Sequence, residues 1–259
     1  MATPAATRTP GVFGLTAAER GWVHSWDTSI GVDGPGTRLV VFLAGCPLRC
    51  LYCANPDTWN RTDGKMTGIY EIDALMDRYA PFIGVSGGGL TVSGGEPLNQ
   101  AEFTQTLFEH AKARGLDTAL DTSGYLGQFA GDDLLDATDL VLLDIKAGSD
   151  EVHRGLTGRR LAPTLRFAER LAKRGNRVWV RYVLVPGYTD DPAEVAGVAK
   201  FAASLGNVER IDVLPFHKLG APKYERLGVP FRLAKTPTPP REMVQRVREG
   251  FEAFGLAAF

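Results

Sequence analysis

The stretch Leu39-Val40-Val41-Phe42-Leu43-Ala44-Gly45-Cys46-Pro47-Leu48-Arg49-Cys50-Leu51-Tyr52-Cys53-Ala54-Asn55-Pro56-Asp57-Thr58-Trp59 decides how the rest of the chain is read. It opens as a continuous apolar run, the pattern of a strand buried on both faces, and passes directly into a loop. That loop holds every cysteine of the chain, Cys46, Cys50 and Cys53, at spacings of four and three. Three thiolates on so short a loop can face a common centre, and soft sulfur ligands suit an iron–sulfur cluster. A cubane of four irons held by three cysteines keeps one iron open to a substrate, which points to catalysis; clusters used only to carry electrons are usually closed by four. A structural zinc site would need a fourth Cys or His, and no histidine lies between His24 and His110. A disulfide framework fails on the odd count, the missing secretory signal and the length of the chain.

Outward from this loop, 259 residues leave room for a sizeable core in one α/β domain of the barrel type. A hydrophobic content of 44% with 23% charged residues is that of a soluble globular protein. The formal net charge of -1 argues against a broad nucleic-acid footprint. No apolar stretch approaches the roughly 20 residues that span a bilayer. Met1 to Pro10 has one basic residue and no apolar core, so it does not read as a secretory signal. A cytoplasmic protein with reduced cysteines and no nucleic-acid or membrane partner is expected.

Residues 1–20, rich in Ala, Thr and Pro, read as a flexible extension, and 21–259 as a single domain. Trp22 to Trp26 alternates like a strand and Asp33-Gly34-Pro35-Gly36 is turn chemistry. Further strands are expected at Leu39–Leu43, within the stretch Gly87 to Pro97, and over Thr118–Thr122, Leu140–Lys146, Val178–Val185 and Arg210–Leu214. Helical spacing runs through Tyr70–Tyr79, Gln100–Arg114, Thr164–Lys173, Ala193–Leu205 and Arg241–Phe254, with Gly115 as the stop of the second. Strand and helix alternate, which implies a parallel sheet of about six units, too few for a closed barrel of eight. In β/α barrels the chemistry sits at the C-terminal ends of the strands, where the cysteine loop begins.

Other polar groups lie at strand ends. Ser93-Gly94-Gly95-Glu96-Pro97 closes a short strand with a glycine pair, which lets backbone approach a ligand but by itself mostly marks turns. Asp121-Thr122 and Asp144-Ile145-Lys146 either cap apolar strands or face a site. Arg181 interrupts an apolar strand, so it belongs to a buried ion pair or to a site.

The Cys-x3-Cys-x2-Cys loop resembles the signature of the radical S-adenosylmethionine (SAM) superfamily. Val32-Asp33-Gly34-Pro35-Gly36-Thr37-Arg38 upstream and Leu51 to Trp59 downstream are similar to the pyruvate formate-lyase activating enzyme family, and the likeness extends from about Trp22 along nearly the whole chain. The resemblance implies an α/β fold, a partial parallel β/α barrel of six units, and a 4Fe-4S cluster on Cys46, Cys50 and Cys53. It also implies SAM contacts from Tyr52, Cys53, Ala54, Gly94, Gly95, Asp121, Thr122, Asp144, Ile145, Lys146 and His217, with a monovalent cation beside Asp121, Thr122 and Asp144. Asp33 and Arg181 fall at positions that would act catalytically at the mouth of the site, and Glu96 reads as structural.

The implied reaction is reductive cleavage of SAM to methionine and a 5′-deoxyadenosyl radical, which takes a hydrogen atom from a glycine of pyruvate formate-lyase. Reduced flavodoxin or ferredoxin is the implied donor. The sequence departs from the family at Ala54, where bacterial members often carry His, at Pro97, and in the N-terminal extension. Three alternatives stand beside this reading: an activase of another glycyl-radical enzyme, a radical SAM enzyme acting on a small molecule, and a non-catalytic iron–sulfur carrier. The absence of further cysteines excludes auxiliary clusters and weighs against the first.

Overall fold

One eight-stranded sheet, with strand order β3-β1-β2-β4-β5-β6-β7-β8, organises the computed structural model, which describes residues 14–259. The strands are β1 (Arg20–Ile30), β2 (Thr37–Leu43), β3 (Lys65–Gly68), β4 (Gly89–Gly94), β5 (Asp117–Thr122), β6 (Leu140–Asp144), β7 (Val178–Leu184) and β8 (Val208–Pro215). The six from β2 through β4 to β8 are parallel neighbours in chain order, and the sheet does not close. This is the six-unit open barrel read from the sequence. The other two strands are antiparallel: β1 folds back on β2 through the Asp33–Gly36 turn, and β3 pairs with β1. At the other edge the last residues lie beside β8, where the Val213 N–H donates to the Phe259 carbonyl at 2.9 Å.

The helices are α1 (Ile69–Val85), α2 (Ala101–Ala113), α3 (Asp132–Asp136), α4 (Asp150–Thr157), α5 (Ala162–Arg174), α6 (Pro192–Leu205), α7 (Ala221–Arg226) and α8 (Arg241–Glu252). Gly115 ends α2 as expected, at φ +69°, while the Leu116 N–H reaches back to the Ala111 carbonyl at 3.0 Å. The sequence reading had no place for β3, α3, α4 or α7. Each is only four to eight residues long, too short for its periodicity to stand out, and β3 is held by its pairing with β1.

Alternate strand residues serve two cores. Leu39, Val41, Leu43, Leu90, Val92, Leu120, Val141, Leu143, Val180 and Tyr182 pack outward against Met76 of α1, Phe108 of α2, Phe167 of α5, Val198 of α6 and Phe251 of α8. Ala119, Leu140, Leu142 and Trp179 form a separate inner cluster. Arg38 is fully buried, donating to the Thr91 hydroxyl at 2.9 Å, the Leu90 carbonyl at 2.7 Å and the Asp117 carboxylate at 2.5 Å. Thr91 in turn donates to the Asp33 carbonyl at 2.7 Å, so this arginine anchors the Asp33 turn. Residues 1–13 of the expected extension lie outside the described residues. Its end is docked, with the Ile69 N–H on the Glu19 carbonyl at 2.8 Å. No described helix is long and apolar enough to cross a membrane.

Breaking a buried ion pair strands its partners, so Arg38→Met is expected to lower stability by about 3–5 kcal/mol. The exposed Lys200→Met should stay within about 0.5 kcal/mol. Equilibrium urea unfolding at constant m value checks both.

Candidate active site

The cysteine loop has no regular structure of its own and is held by its neighbours. At its base the Gly45 N–H donates to the Thr58 carbonyl at 2.7 Å and the Cys46 N–H to that of Trp59 at 3.0 Å. In its middle, the N–H groups of Arg49 and Leu51 donate to the carbonyls of Thr157 and Leu156, at the end of α4, each at 2.9 Å. The Arg49 guanidinium donates to the carbonyls of Cys46 and Leu48 and lies 5.0 Å from the Trp59 ring centre. Lys223 fixes the far side through Asn55 at 2.8 Å and Asp57 at 3.0 Å.

The end of β4 lies directly against this loop. A Cβ on Gly94 would sit 2.4 Å from the Leu43 nitrogen, and one on Gly95 2.6 Å from the Gly45 carbonyl oxygen. Gly94 also has φ +112°, a conformation that side chains disfavour. The glycine pair is therefore required by packing, whatever else it does. Glu96 follows as a buried tie between strands. Its carboxylate accepts from the Leu98 N–H at 3.2 Å, the Thr122 hydroxyl at 2.6 Å, the Ser123 N–H at 3.0 Å and the Ser123 hydroxyl. Burial raises its pKa and these bonds oppose the rise.

A cavity of about 430 Å³ opens over the C-terminal ends of the parallel strands. Of the residues singled out from the sequence, Cys46, Cys50, Tyr52, Cys53, Ala54, Gly94, Gly95, Asp121, Thr122, Asp144, Lys146, Arg181 and His217 line it. Asp33 and Ile145 do not. The Asp33 carboxylate stands behind the wall, 3.9 Å from the Arg181 guanidinium. Ile145 is buried in the outer core, and its N–H donates to the Arg181 carbonyl at 3.2 Å. Sequence reasoning missed Ser93, Ser123, Val183 and Phe216, which also line the cavity. Val183 was legible, because it lies two residues from Arg181 on one strand and so shares its face. Phe216 follows the last strand, where no periodicity applies. A larger recess of about 570 Å³ between β1 and α2 holds no cysteine and no strand-end carboxylate.

The charges in the wall are paired. Arg181 meets Asp121 at 2.9 Å, and the Ser93 hydroxyl donates to the same carboxylate at 2.6 Å. Lys146 meets Asp144 at 2.8 Å, with its ammonium 5.6 Å from the Tyr52 ring centre. Burial alone would lower the Arg181 pKa, but Asp121, Asp144 and Asp33 hold it above its usual value. Burial raises that of Asp121, with Arg181 opposing. Burial would likewise lower the Lys146 pKa, but Asp144 beside it holds it above its usual value, so both cations stay charged at neutral pH. Burial also pushes up the Cys46 and Cys53 thiols and takes Cys50 to about 12. All three cysteines are free, and as bare thiols they are neutral near pH 7. Among the described residues no three His, Cys, Asp or Glu side chains converge on a site for a single ion. The three thiols instead border a cavity, a donor set that fits a multinuclear cluster.

Residues 40–198 match the radical SAM superfamily. Over 237 residues the chain is 41% identical to the pyruvate formate-lyase 1-activating enzyme of Escherichia coli strain K12, covering 91% of this chain and 96% of that protein. The chain belongs to the pyruvate formate-lyase-activating enzymes of the radical SAM superfamily. Within that family it is also 42% identical over 234 residues to the enzyme of Staphylococcus epidermidis, covering 87% and 93% of the two chains. Among solved structures, a domain of a pyruvate-formate lyase-activating enzyme from Bacteroides vulgatus superposes with a TM-score of 0.56 at 26% identity, covering 66% of this chain and 98% of that one. Streptococcus suis SuiB bound to S-adenosylmethionine shares the fold alone, with a TM-score of 0.63 at 13% identity over 88% of this chain and 50% of that one. Membership of this radical SAM family implies a 4Fe-4S cluster and SAM as cofactors.

Gly95→Ala is expected to push the cysteine loop off β4 and to lower the iron retained per chain after anaerobic reconstitution. Gly155→Ala, where a Cβ meets nothing within 4 Å, should retain the wild-type amount. Iron and acid-labile sulfide analysis on folded protein separates the two.

Proposed function

We propose that this chain activates pyruvate formate-lyase by installing a glycyl radical on it, using reductive cleavage of SAM at a 4Fe-4S cluster. One observation carries the reading: all three cysteines border a single cavity together with the glycine pair and the charged strand ends, in a chain of this family. The thiolates of Cys46, Cys50 and Cys53 would hold the cluster. When bound, it supplies an open iron and one electron, so that SAM yields methionine and a 5′-deoxyadenosyl radical, which takes a hydrogen atom from the partner's glycine.

The protein's share is binding and exclusion. Gly94 and Gly95 bring backbone to the cavity wall, where their peptide groups would meet the amino end of SAM. Asp144 and Lys146 supply a fixed pair of charges beside it, while Ile145 secures their strand end through its bond to Arg181. Tyr52, Ala54 and His217 also border the cavity, and the nucleoside would lie against them. The apolar wall of Val32, Leu48, Leu214 and Phe216 limits water around a reactive radical. Arg181, held by Asp121 and Asp33, stands where the glycine loop of the partner would arrive.

In this reading residues 21–259 act as one radical SAM domain in the cytoplasm, and reduced flavodoxin or ferredoxin supplies the electron. A monovalent cation at Asp121, Thr122 and Asp144 would share oxygens that already serve Arg181, Ser93, Glu96 and Lys146.

The anaerobically reconstituted and reduced protein, mixed with SAM and pyruvate formate-lyase, is expected to give a glycyl-radical doublet by electron paramagnetic resonance with matching 5′-deoxyadenosine. Cys50→Ala should give neither. Wild-type 5′-deoxyadenosine without a doublet would refute the partner, and neither product from a loaded, reducible cluster would refute the reading.

A further inference from the structure

Among the described residues six buried polar side-chain atoms have no hydrogen-bond partner, and two of them are tyrosine hydroxyls, those of Tyr52 and Tyr224. The other four lie on β1, just before β8, on β8 and on α8. Tyr52 lines the strand-end cavity and so belongs to the site already described. Tyr224 stands apart from that cavity. It is carried by α7, is only 3% exposed, and shares a second cavity of about 370 Å³ with Cys50 and Trp59.

The segment around Tyr224 is pressed against the cysteine loop. A Cβ on Gly220, just before α7, would stand 2.9 Å from the Cys53 carbonyl oxygen and 3.0 Å from the Ala54 Cα. Lys223 donates to Asn55 and Asp57 of the loop at 2.8 and 3.0 Å. The Tyr224 ring is fixed between Trp59, edge to face at 5.7 Å, and Phe231, tilted at 4.9 Å. A phenylalanine would make these ring contacts equally well, and stranding a buried hydroxyl is costly. The hydroxyl therefore calls for an acceptor that the polypeptide does not supply. Cys50 and Cys53 are weak acceptors as neutral thiols, but strong ones as thiolates bound to iron. Burial pushes the Tyr224 pKa up, and negative charge at Cys53 and Cys50 would push it further. The group thus stays protonated and can only donate to them.

We propose that the Tyr224 hydroxyl donates a hydrogen bond to a sulfur of Cys50 or Cys53 when the cluster is bound, and that this bond makes the cluster easier to reduce. The inference rests on the cluster assignment made under Proposed function. Reduction adds one negative charge to the group held by the cysteines, and a donor aimed at its sulfur favours the more negative state. The tyrosine keeps its proton and gives up no electron. Its influence on SAM passes through the cysteine ligands alone, because it does not line the strand-end cavity.

The test poises the anaerobically reconstituted protein at a series of solution potentials and counts the reduced cluster by electron paramagnetic resonance. Tyr224→Phe is expected to retain wild-type iron and acid-labile sulfide, while the ratio of reduced to oxidised cluster at a fixed potential falls about fivefold, the weight of one hydrogen bond. Placing 3,5-difluorotyrosine at position 224 keeps the shape, strengthens the donor and should raise the ratio above that of the wild type. Tyr70→Phe, on the exposed side of α1, should leave it unchanged. A loaded Tyr224→Phe protein with the wild-type ratio, or a shift of both variants in the same direction, would overturn the inference and leave the cluster assignment standing. Should Tyr224→Phe fail to hold iron, the fluorinated protein decides, and a ratio at or below the wild-type value refutes the hydrogen bond. A wild type that holds no iron after reconstitution would overturn the cluster assignment itself, and the inference with it.

Discussion

The close approach of β4 to the cysteine loop is the constraint on which the rest depends. Three thiols can border one cavity only if an irregular loop is held in place, and this loop is held by backbone bonds to its own base, to α4 and to β4. The Gly95 N–H donates to the Leu43 carbonyl and the Glu96 N–H to that of Gly45, so the end of β4 acts as a template for the start of the loop. A side chain at either glycine would separate the two. Glu96 extends the same constraint to β5, because its buried carboxylate fixes Thr122 and Ser123. One strand end thereby sets the positions of the cysteines and of the Asp121 strand together.

A second order lies inside the barrel. Arg38 and Asp117 close its base, Leu142 and Trp179 fill its middle, and Asp121, Asp144 and Arg181 stand at its top. Burial makes unpaired charges costly, and each is paired: Arg38 with Asp117 and Arg181 with Asp121 across an intervening strand, and Asp144 with Lys146 of its own segment. The Asp33 turn joins both levels, its carbonyl tied through Thr91 to Arg38 below and its carboxylate facing Arg181 above. A charge at the mouth is thus oriented from the base.

The strands that carry the chemistry were legible because their two faces are both buried. Leu39–Leu43 and Leu140–Leu143 read as continuous apolar runs, and the polar residues that end such runs marked the site. Alternation also explains the two residues that fall away from the cavity. With Asp144 facing inward, Ile145 turns to the outer core, and Asp33 reaches the site only through Arg181. The role of Arg38 was hidden, since its partners Thr91 and Asp117 are brought to it by strand order. The clamp from α4 was hidden for the same reason: the bonds from Arg49 and Leu51 to Thr157 and Leu156 cross more than a hundred residues and leave no local signal.

The central claim is that a hydrogen atom leaves a glycine of the partner inside this cavity. It is tested most directly by deuterium transfer, using pyruvate formate-lyase biosynthetically labelled with α-deuterated glycine. After anaerobic turnover with SAM, mass spectrometry of the 5′-deoxyadenosine should show one deuterium for each glycyl radical formed. Unlabelled 5′-deoxyadenosine alongside a full yield of glycyl radical would contradict direct abstraction.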